Sequence, residues 1–335
     1  MRAILRNTAV TRWPALLAAG WLTCAPAAAQ ATSLEDLTSA VVAIKTFINP
    51  DARTTETLGR EREGSGIVID EDGLVLTIGY LMVEAHAAQV TTNAGRAVPA
   101  NVVGYDHETG FGLLRTIEPL KLKPLGFGKS GAVQEGDPAL VASFGGPQMV
   151  APVRVVSKRA FAGSWEYLLD QALYTAPPHP IWSGAALISR EGKLIGVGSL
   201  IVGDATGGTD KQPGNMFVPI DLLPPILADL LADGRASGPA KPWLGVNADD
   251  SSGRLLVSRV TAGGPAERAG IARGDVIVGV NGEPAKTMAE FYRKVWALGT
   301  AGTTIPLDIE QSGGKRRLEI KSMNRLDHLK LKSTF

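Results

Sequence analysis

Trp243-Leu244-Gly245-Val246, Gly263-Gly264-Pro265-Ala266-Glu267-Arg268-Ala269-Gly270, Gly274-Asp275-Val276-Ile277 and Val280-Asn281-Gly282 follow one another in order along the chain. These words punctuate short apolar runs at Leu255 to Val260, Val276 to Val280, Ile305 to Ile309 and Arg317 to Ile320. Such runs bounded by Gly, Asn and Asp read as strands. A helix is expected from about Thr287 to Leu298, with Met288, Phe291, Val295 and Leu298 on one face. Residues 243–323 thus read as a small α+β domain, followed by a basic, frayed tail over 324–335. Upstream, the small, polar, proline-bearing stretch 234–242 reads as a linker. A helix before it, Asp221 to Leu231, is capped by Asp221 and ends near Gly234. From Val41 to about Ile220 the chain is all short β-rich segments, including Val41 to Ile48, Gly66 to Ile69, Leu74 to Thr77 and Gly184 to Ile188. Asp72-Gly73 and Glu191-Gly192-Lys193 sit between them as hairpin turns.

The series that begins at Trp243 closely resembles the PDZ domain of the HtrA family of serine proteases, over essentially all of residues 243–323. The resemblance extends upstream through Met216-Phe217-Val218-Pro219-Ile220-Asp221, Gly64-Ser65-Gly66-Ile67-Val68-Ile69 and Gly73-Leu74-Val75-Leu76-Thr77. It implies an all-β double-barrel, trypsin-like domain over 33–233 joined to the α+β PDZ domain. It also implies that Trp243, Leu244, Gly245 and Val246 form a carboxylate-binding loop, whose backbone N–H groups point at a peptide's C-terminus. Gly245 permits that turn. Met288 and Val295 are expected at the groove, Phe291 and Leu298 in the core.

The family's chemistry needs a hydroxyl nucleophile, an imidazole to take its proton and a carboxylate to orient the imidazole. The family's phrase L-T-N-x-H-V is here Leu76-Thr77-Ile78-Gly79-Tyr80-Leu81, which puts Tyr80 at the histidine position. A phenol with an ordinary pKa of about 10 is a poor base at neutral pH. The phrase D-P-x-T-D-L-A-L-L-K is here Asp106-His107-Glu108-Thr109-Gly110-Phe111-Gly112-Leu113-Leu114-Arg115, which puts Gly110 at the aspartate position. The nucleophile phrase N-P-G-N-S-G-G-A-L is here His179-Pro180-Ile181-Trp182-Ser183-Gly184-Ala185-Ala186-Leu187. Ser183 stays in register, and Ile181 replaces a glycine whose N–H is an oxyanion donor in the family. Loss of the histidine alone costs about a millionfold in rate, and loss of an oxyanion donor about a hundredfold or more. Ser183 is therefore expected to be vestigial. Of the other histidines, His86, six residues beyond Tyr80, would face away from it on a helical turn and reads as a surface residue, His107 with Asp106 is expected in a solvated turn, and His179 in a loop that curves away from Ser183. Gly145-Gly146-Pro147 reads as a turn.

At the other end of the chain, Arg2, Arg6 and Arg12 precede the short apolar stretch Trp13 to Leu22 and then Ala27-Ala28-Ala29. That order reads as a signal peptide over residues 1–29, removed on export to the periplasm or the medium. Cleavage would remove Cys24, the one cysteine, and take the formal charge from +1 to −2. Trp21-Leu22-Thr23 is a poor lipobox for Cys24. Nothing in this balance points to nucleic acid. Four scattered histidines offer no metal-ligand spacing, and no cofactor is expected. The reading is a pseudoprotease in envelope protein quality control or signalling. Its partners would be protein C-termini or unfolded polypeptides, with assembly as a homotrimer or with an active HtrA protease. The alternative is an active endopeptidase that uses an unconventional base at Ser183.

Overall fold

The computed structural model describes residues 33 to 331, so the expected signal peptide, with Cys24, lies outside the described residues. A short helix, α1 (Leu34–Ser39), is capped by the Ser33 hydroxyl and leads into β1 (Val41–Ile48). After α2 (Thr55–Leu58) come β2 (Glu61–Val68), β3 (Leu74–Ile78), β4 (Ala85–Thr91), β5 (Ala97–Tyr105) and β6 (Phe111–Thr116). These six strands close into a barrel in the order β1-β2-β3-β6-β5-β4. A second closed barrel, β10-β11-β12-β9-β8-β7, is formed by β7 (Pro138–Ala142), β8 (Val150–Gly163), β9 (Tyr167–Ala176), β10 (Ala186–Ile188), β11 (Leu194–Val202) and β12 (Gly214–Pro219). Closure satisfies every edge, and inward-facing Val, Leu and Ile fill the interiors. The expected double barrel is the fold observed.

Two strands of the second barrel are longer than the barrel needs. β8 runs for 14 residues and β9 for 10, paired down to Gly163 opposite Tyr167. The tip of this hairpin leaves the barrel and reaches the second domain.

The closing helix differs from the expectation. A 3-10 turn covers Ile220–Leu222, and the helix proper, α3 (Pro224–Asp233), starts on Pro224 and Pro225, which the first helical turn tolerates. Asp221 caps no helix; its carboxylate accepts from the N–H groups of Ser130 and Gly131 at 3.1 and 2.7 Å. Gly234 ends the helix in the left-handed conformation, as expected.

The second domain contains β13 (Val246–Asp249), β14 (Leu255–Val260), α4 (Pro265–Arg268), β15 (Val276–Val280), β16 (Glu283–Pro284), α5 (Met288–Ala297), β17 (Thr304–Gln311) and β18 (Gly314–Lys321). Its sheet runs β13-β14-β15-β17-β18, which leaves β13 at an edge. Thr287 caps α5 through the Glu290 N–H, and Phe291, Tyr292 and Val295 are buried.

Through Leu331, the last described residue, the tail is ordered rather than frayed. A last helix, α6 (Arg325–His328), is capped by Asn324, and the His328 ring packs 4.9 Å from the Trp243 ring. Beyond it, the Lys330 N–H donates to Glu84 at 2.6 Å and the Lys330 carbonyl accepts from Asn49 at 3.0 Å. The tail's basic composition resembles a loose end, but its partners come from the first barrel, far away in sequence. Glu84 is buried and also accepts from the Arg53 and Thr54 N–H groups and the Thr54 hydroxyl. Burial opposes its charge, yet these bonds outweigh it and hold the carboxyl below the ordinary glutamate range. A carboxyl depressed on folding contributes stability above its unfolded value of about 4.3 and loses it as pH falls through the folded value. Glu84→Gln should therefore lower the melting temperature at pH 7 and narrow the drop seen between pH 5 and pH 3, as read by thermal denaturation.

Candidate active site and peptide groove

At the end of β3 the chain makes a 3-10 turn, Gly79–Leu81, that presents Tyr80. The turn is pinned by the buried guanidinium of Arg62, whose Nη1 donates to the carbonyls of Tyr80 (2.8 Å) and Val83 (3.0 Å). Its Nε and Nη2 reach the Gly59 carbonyl and the Thr54 hydroxyl. Burial pulls the Arg62 value down to about 10, so it remains a cation at neutral pH. The Thr46 hydroxyl adds a bond to the Leu81 carbonyl.

Ser183 arrives from the loop before β10. Its carbonyl accepts from the Ser65 N–H at 2.8 Å, and the Gly184 N–H donates to the Gly198 carbonyl at 2.9 Å. Gly184 has φ +72°, and a Cβ there would overlap the Ser65 carbonyl oxygen, so the position admits only glycine.

So placed, Ser183 Oγ lies 2.7 Å from the phenol oxygen of Tyr80, which also donates to the Ser199 carbonyl at 2.8 Å. The phenol has one hydrogen, and a carbonyl can only accept. The Ser183 hydroxyl is therefore the donor to Tyr80. Burial, acting against the bond to Ser183, pushes the Tyr80 phenol up to about 12. At neutral pH the serine's proton thus faces a neutral phenol oxygen, which has no useful basicity.

The remaining expected positions fall around this pair. Gly110, in the turn before β6, accepts from the Gly79 N–H at 2.6 Å, so it does lie beside the Tyr80 turn. It has φ +82°, and a Cβ there would come within 3.0 Å of the Tyr167 hydroxyl. Tyr167 thus closes the space beside Gly110 to any side chain. Ile181 is exposed, and its N–H donates to His179 Nδ1 at 3.2 Å. That nitrogen is also 3.0 Å from the Ile181 carbonyl, so the imidazole is turned onto its own loop. His179 is buried, with its backbone tied to Asn215 on β12.

Asp106 is not solvated, and His107 is half-buried. Asp106 is buried and accepts from the Thr109 N–H at 2.7 Å. His107 sits 2.9 Å from the Tyr105 hydroxyl, 3.2 Å from the Glu166 carbonyl and 3.0 Å from Arg325 Nη1. Burial, then the Arg325 charge, holds its imidazole well below the ordinary range and so neutral. His86 lies in β4 and is exposed, as its surface reading expects. A cavity of about 730 Å3 lies between His107, the linker at Lys241, Trp296 and Arg325, away from Ser183. Among the described residues no three His, Cys, Asp or Glu side chains converge as a metal site.

In the second domain the loop donors are Leu244, Gly245 and Val246. Trp243 is not among them: its N–H donates to the Met323 carbonyl at 3.0 Å, which ties it to the strand end. The three N–H groups converge on the carboxylate of Glu166, from the tip of the β8–β9 hairpin. Oε1 accepts from Gly245 (2.6 Å), Val246 (2.9 Å) and Leu244 (3.3 Å), and Oε2 from Leu244 (2.9 Å). Glu166 has φ +58° and is 4% exposed. Burial pushes its carboxyl up to about 7, against the loop N–H bonds and the Arg325 charge. Val295 is packed in the core with Phe291, and Met288 is half-buried at its edge. The side chain that faces the hairpin is Tyr292, whose hydroxyl donates to the Gly163 carbonyl at 2.7 Å and accepts from the Glu166 N–H at 3.3 Å.

Comparison with known proteins fits this anatomy. Residues 64–197 match the trypsin-like peptidase domain and residues 256–310 the PDZ domain. The chain is 31% identical to the putative serine protease HhoA of Synechocystis sp., over 77% of this chain and 69% of that protein. It is 29% identical to a probable periplasmic serine endoprotease, DegP-like, of Chlamydia trachomatis, over 75% of this chain and 52% of that one. Among solved structures, an HtrA-type protease AlgW with decapeptide superposes with TM-score 0.52 at 22% identity, over 88% of this chain and 99% of that chain. This chain therefore belongs to the HtrA-type family of trypsin-like serine proteases with a PDZ domain. It spans 52% to 69% of the length of these two curated relatives.

Tyr80→Phe would leave the Ser199 carbonyl without its phenol donor and Ser183 without its acceptor. The substitution should cost about 1–3 kcal/mol of unfolding free energy, against about 1 kcal/mol for Ser183→Ala. Urea denaturation of both variants measures the difference.

Proposed function

We propose that this protein is a catalytically degenerate HtrA-type protein, a pseudoprotease, that binds protein C-termini or unfolded segments through its PDZ domain. Its place would be the periplasm or the outside of the cell, in protein quality control or signalling. The observation that carries the reading is the bond between Ser183 Oγ and the Tyr80 phenol. Where proteolysis needs a base, the serine meets a group that stays protonated up to about pH 12. The engagement of the Ile181 N–H by His179 supports it further, because that N–H is then not free for a developing oxyanion.

The binding half of the proposal rests on the three convergent N–H groups of Leu244, Gly245 and Val246, arranged around a carboxylate. The AlgW neighbour is described with a decapeptide, and the chlamydial relative is named as periplasmic, in keeping with a leader at residues 1–29. Assembly as a homotrimer, or with an active HtrA paralogue, would fit the same role.

The rival reading is an endopeptidase at Ser183, favoured by the relatives' names as serine proteases. Digestion of casein by the full chain, beside Ser183→Ala, separates the two. We expect no cleavage that depends on Ser183 and no labelling of Ser183 by a fluorophosphonate between pH 6 and pH 10. Cleavage that disappears in Ser183→Ala would establish the endopeptidase.

A further inference from the structure

The segment that fills the second domain's groove belongs to the same chain. β13 is an edge strand whose other side pairs with β14. Successive N–H groups on one edge of a strand are two residues apart. On the free edge, the Val246 N–H meets the Glu166 carboxylate and the Ala248 N–H donates to the Ser164 carbonyl at 3.1 Å. Glu166 and Ser164 are also two residues apart, so the hairpin tip keeps the register of an added strand for these contacts. Across the groove, Tyr292 on α5 holds Gly163 and Glu166. On either side of the tip, Ala162 and Leu168 pack against the second domain's core, and Arg293 pairs with Asp170 at 2.8 Å.

An extended peptide bound between an edge strand and a helix would need these same groups: backbone donors on β13 and a set of N–H groups for its terminal carboxylate. We propose that the hairpin tip Gly163–Tyr167 is an internal ligand of the PDZ groove, with the Glu166 side chain in the place of a C-terminal carboxylate, so that a peptide binds only by displacing it. The inference rests on the reading of this domain as a C-terminal peptide site and adds its regulation. The loop donors cannot serve two carboxylates at once. Apparent affinity for a peptide is thus the affinity of the open groove reduced by the fraction of molecules in which the hairpin is undocked. Displacement frees the Ser164 carbonyl and the Glu166 carboxylate, while Tyr167 stays bound to the Thr109 carbonyl in the barrel.

The test uses the full chain, Glu166→Ala and Glu166→Gln, each titrated by fluorescence anisotropy with a labelled decapeptide that ends in valine, as free acid and as C-terminal amide. Amide exchange at Leu244, Gly245, Val246 and Ala248 is followed in parallel. Glu166→Ala should bind the free acid about tenfold tighter or better than wild type, which corresponds to the loss of one charge-assisted contact. Glu166→Gln, which keeps one acceptor oxygen, should fall between. The four amides should exchange slowly in wild type and faster in Glu166→Ala. Equal peptide affinity in wild type and both variants overturns the internal ligand and leaves the peptide-binding reading intact. Fast exchange in wild type, unchanged by substitution, overturns it as well. If the amides open in Glu166→Ala and still no variant prefers the free acid to the amide, the C-terminal reading fails and the internal ligand falls with it. Should Glu166→Ala not fold, Glu166→Gln alone decides, on the same two readouts.

Discussion

The two barrels are joined at a crossing where no side chain fits. The Ser65 N–H holds the Ser183 carbonyl, and the Ser65 carbonyl lies where a Cβ of Gly184 would have to be. The Thr77 hydroxyl, at the end of β3, donates to that same Ser65 carbonyl, and the Ser65 hydroxyl accepts from Phe144 after β7. One residue of β2 thus ties the Tyr80 strand, the Ser183 loop and the second barrel into a single arrangement. This constraint is indifferent to chemistry. It keeps Ser183 in register whether or not its hydroxyl is ever activated, because the backbone on either side has nowhere else to go.

Within that fixed frame, Tyr80 fills the space beside Ser183. An alanine at this position would leave a hole and two unsatisfied polar groups, the Ser183 hydroxyl and the Ser199 carbonyl. The phenol instead fills the space and meets both the Ser183 hydroxyl and the Ser199 carbonyl. The cost of burying polar groups is avoided because each has a partner. The same holds around it: Arg62 satisfies the turn's carbonyls, and Tyr167 closes the side on which Gly110 lies and donates to the Thr109 carbonyl. The site is a satisfied hydrogen-bond network rather than a damaged one. Satisfied networks rigidify, and they resist the small movements by which a loose serine could find another base.

The architecture was legible because it is written in local signals. Turn glycines such as Gly73 and Gly192, apolar runs such as Val41 to Ile48, and the Thr287 cap each depend on a few neighbouring residues. Motif register predicts that Tyr80 and Gly110 stand near one another, and the Gly79 N–H bond to the Gly110 carbonyl holds the two turns side by side. What could not be read depends on partners far apart in sequence. Asp221 looked like a helix cap because its local setting is that of one; its real donors are Ser130 and Gly131. Val295 shares a helical face with Phe291, and that face is the one turned to the sheet, so Tyr292 is left to meet the hairpin. Trp243 stands first in its motif but is drawn to Met323. Glu166 carried no signal at all. A lone glutamate between two β-rich runs reads as a solvated turn, and only the fold reveals donors some eighty residues later in the chain.

A buried carboxylate is an odd way to hold two domains together if permanence were the requirement. Removing an ion from water costs several kcal/mol even after relaxation, and hydrogen bonds to a charged group return about 1.5–3 kcal/mol each. Burial is the largest influence on the Glu166 carboxyl and raises it to about 7, and the loop N–H groups and Arg325 only partly offset it. An apolar anchor of the same size would avoid that desolvation but would leave the N–H groups of Leu244, Gly245 and Val246 without an acceptor. What a carboxylate supplies is identity. The loop receives a group of the same chemistry as the end of any polypeptide, in a docked state whose opposing contributions are large and whose difference is small. Contacts such as Ala162 and Leu168 fix the hairpin's position, and on the proposed reading the Glu166 carboxylate is the contact that a peptide's terminal carboxylate displaces. On the proposed reading, a free C-terminus brings a carboxylate to exchange for Glu166, whereas a segment without one must displace the hairpin through its backbone contacts alone.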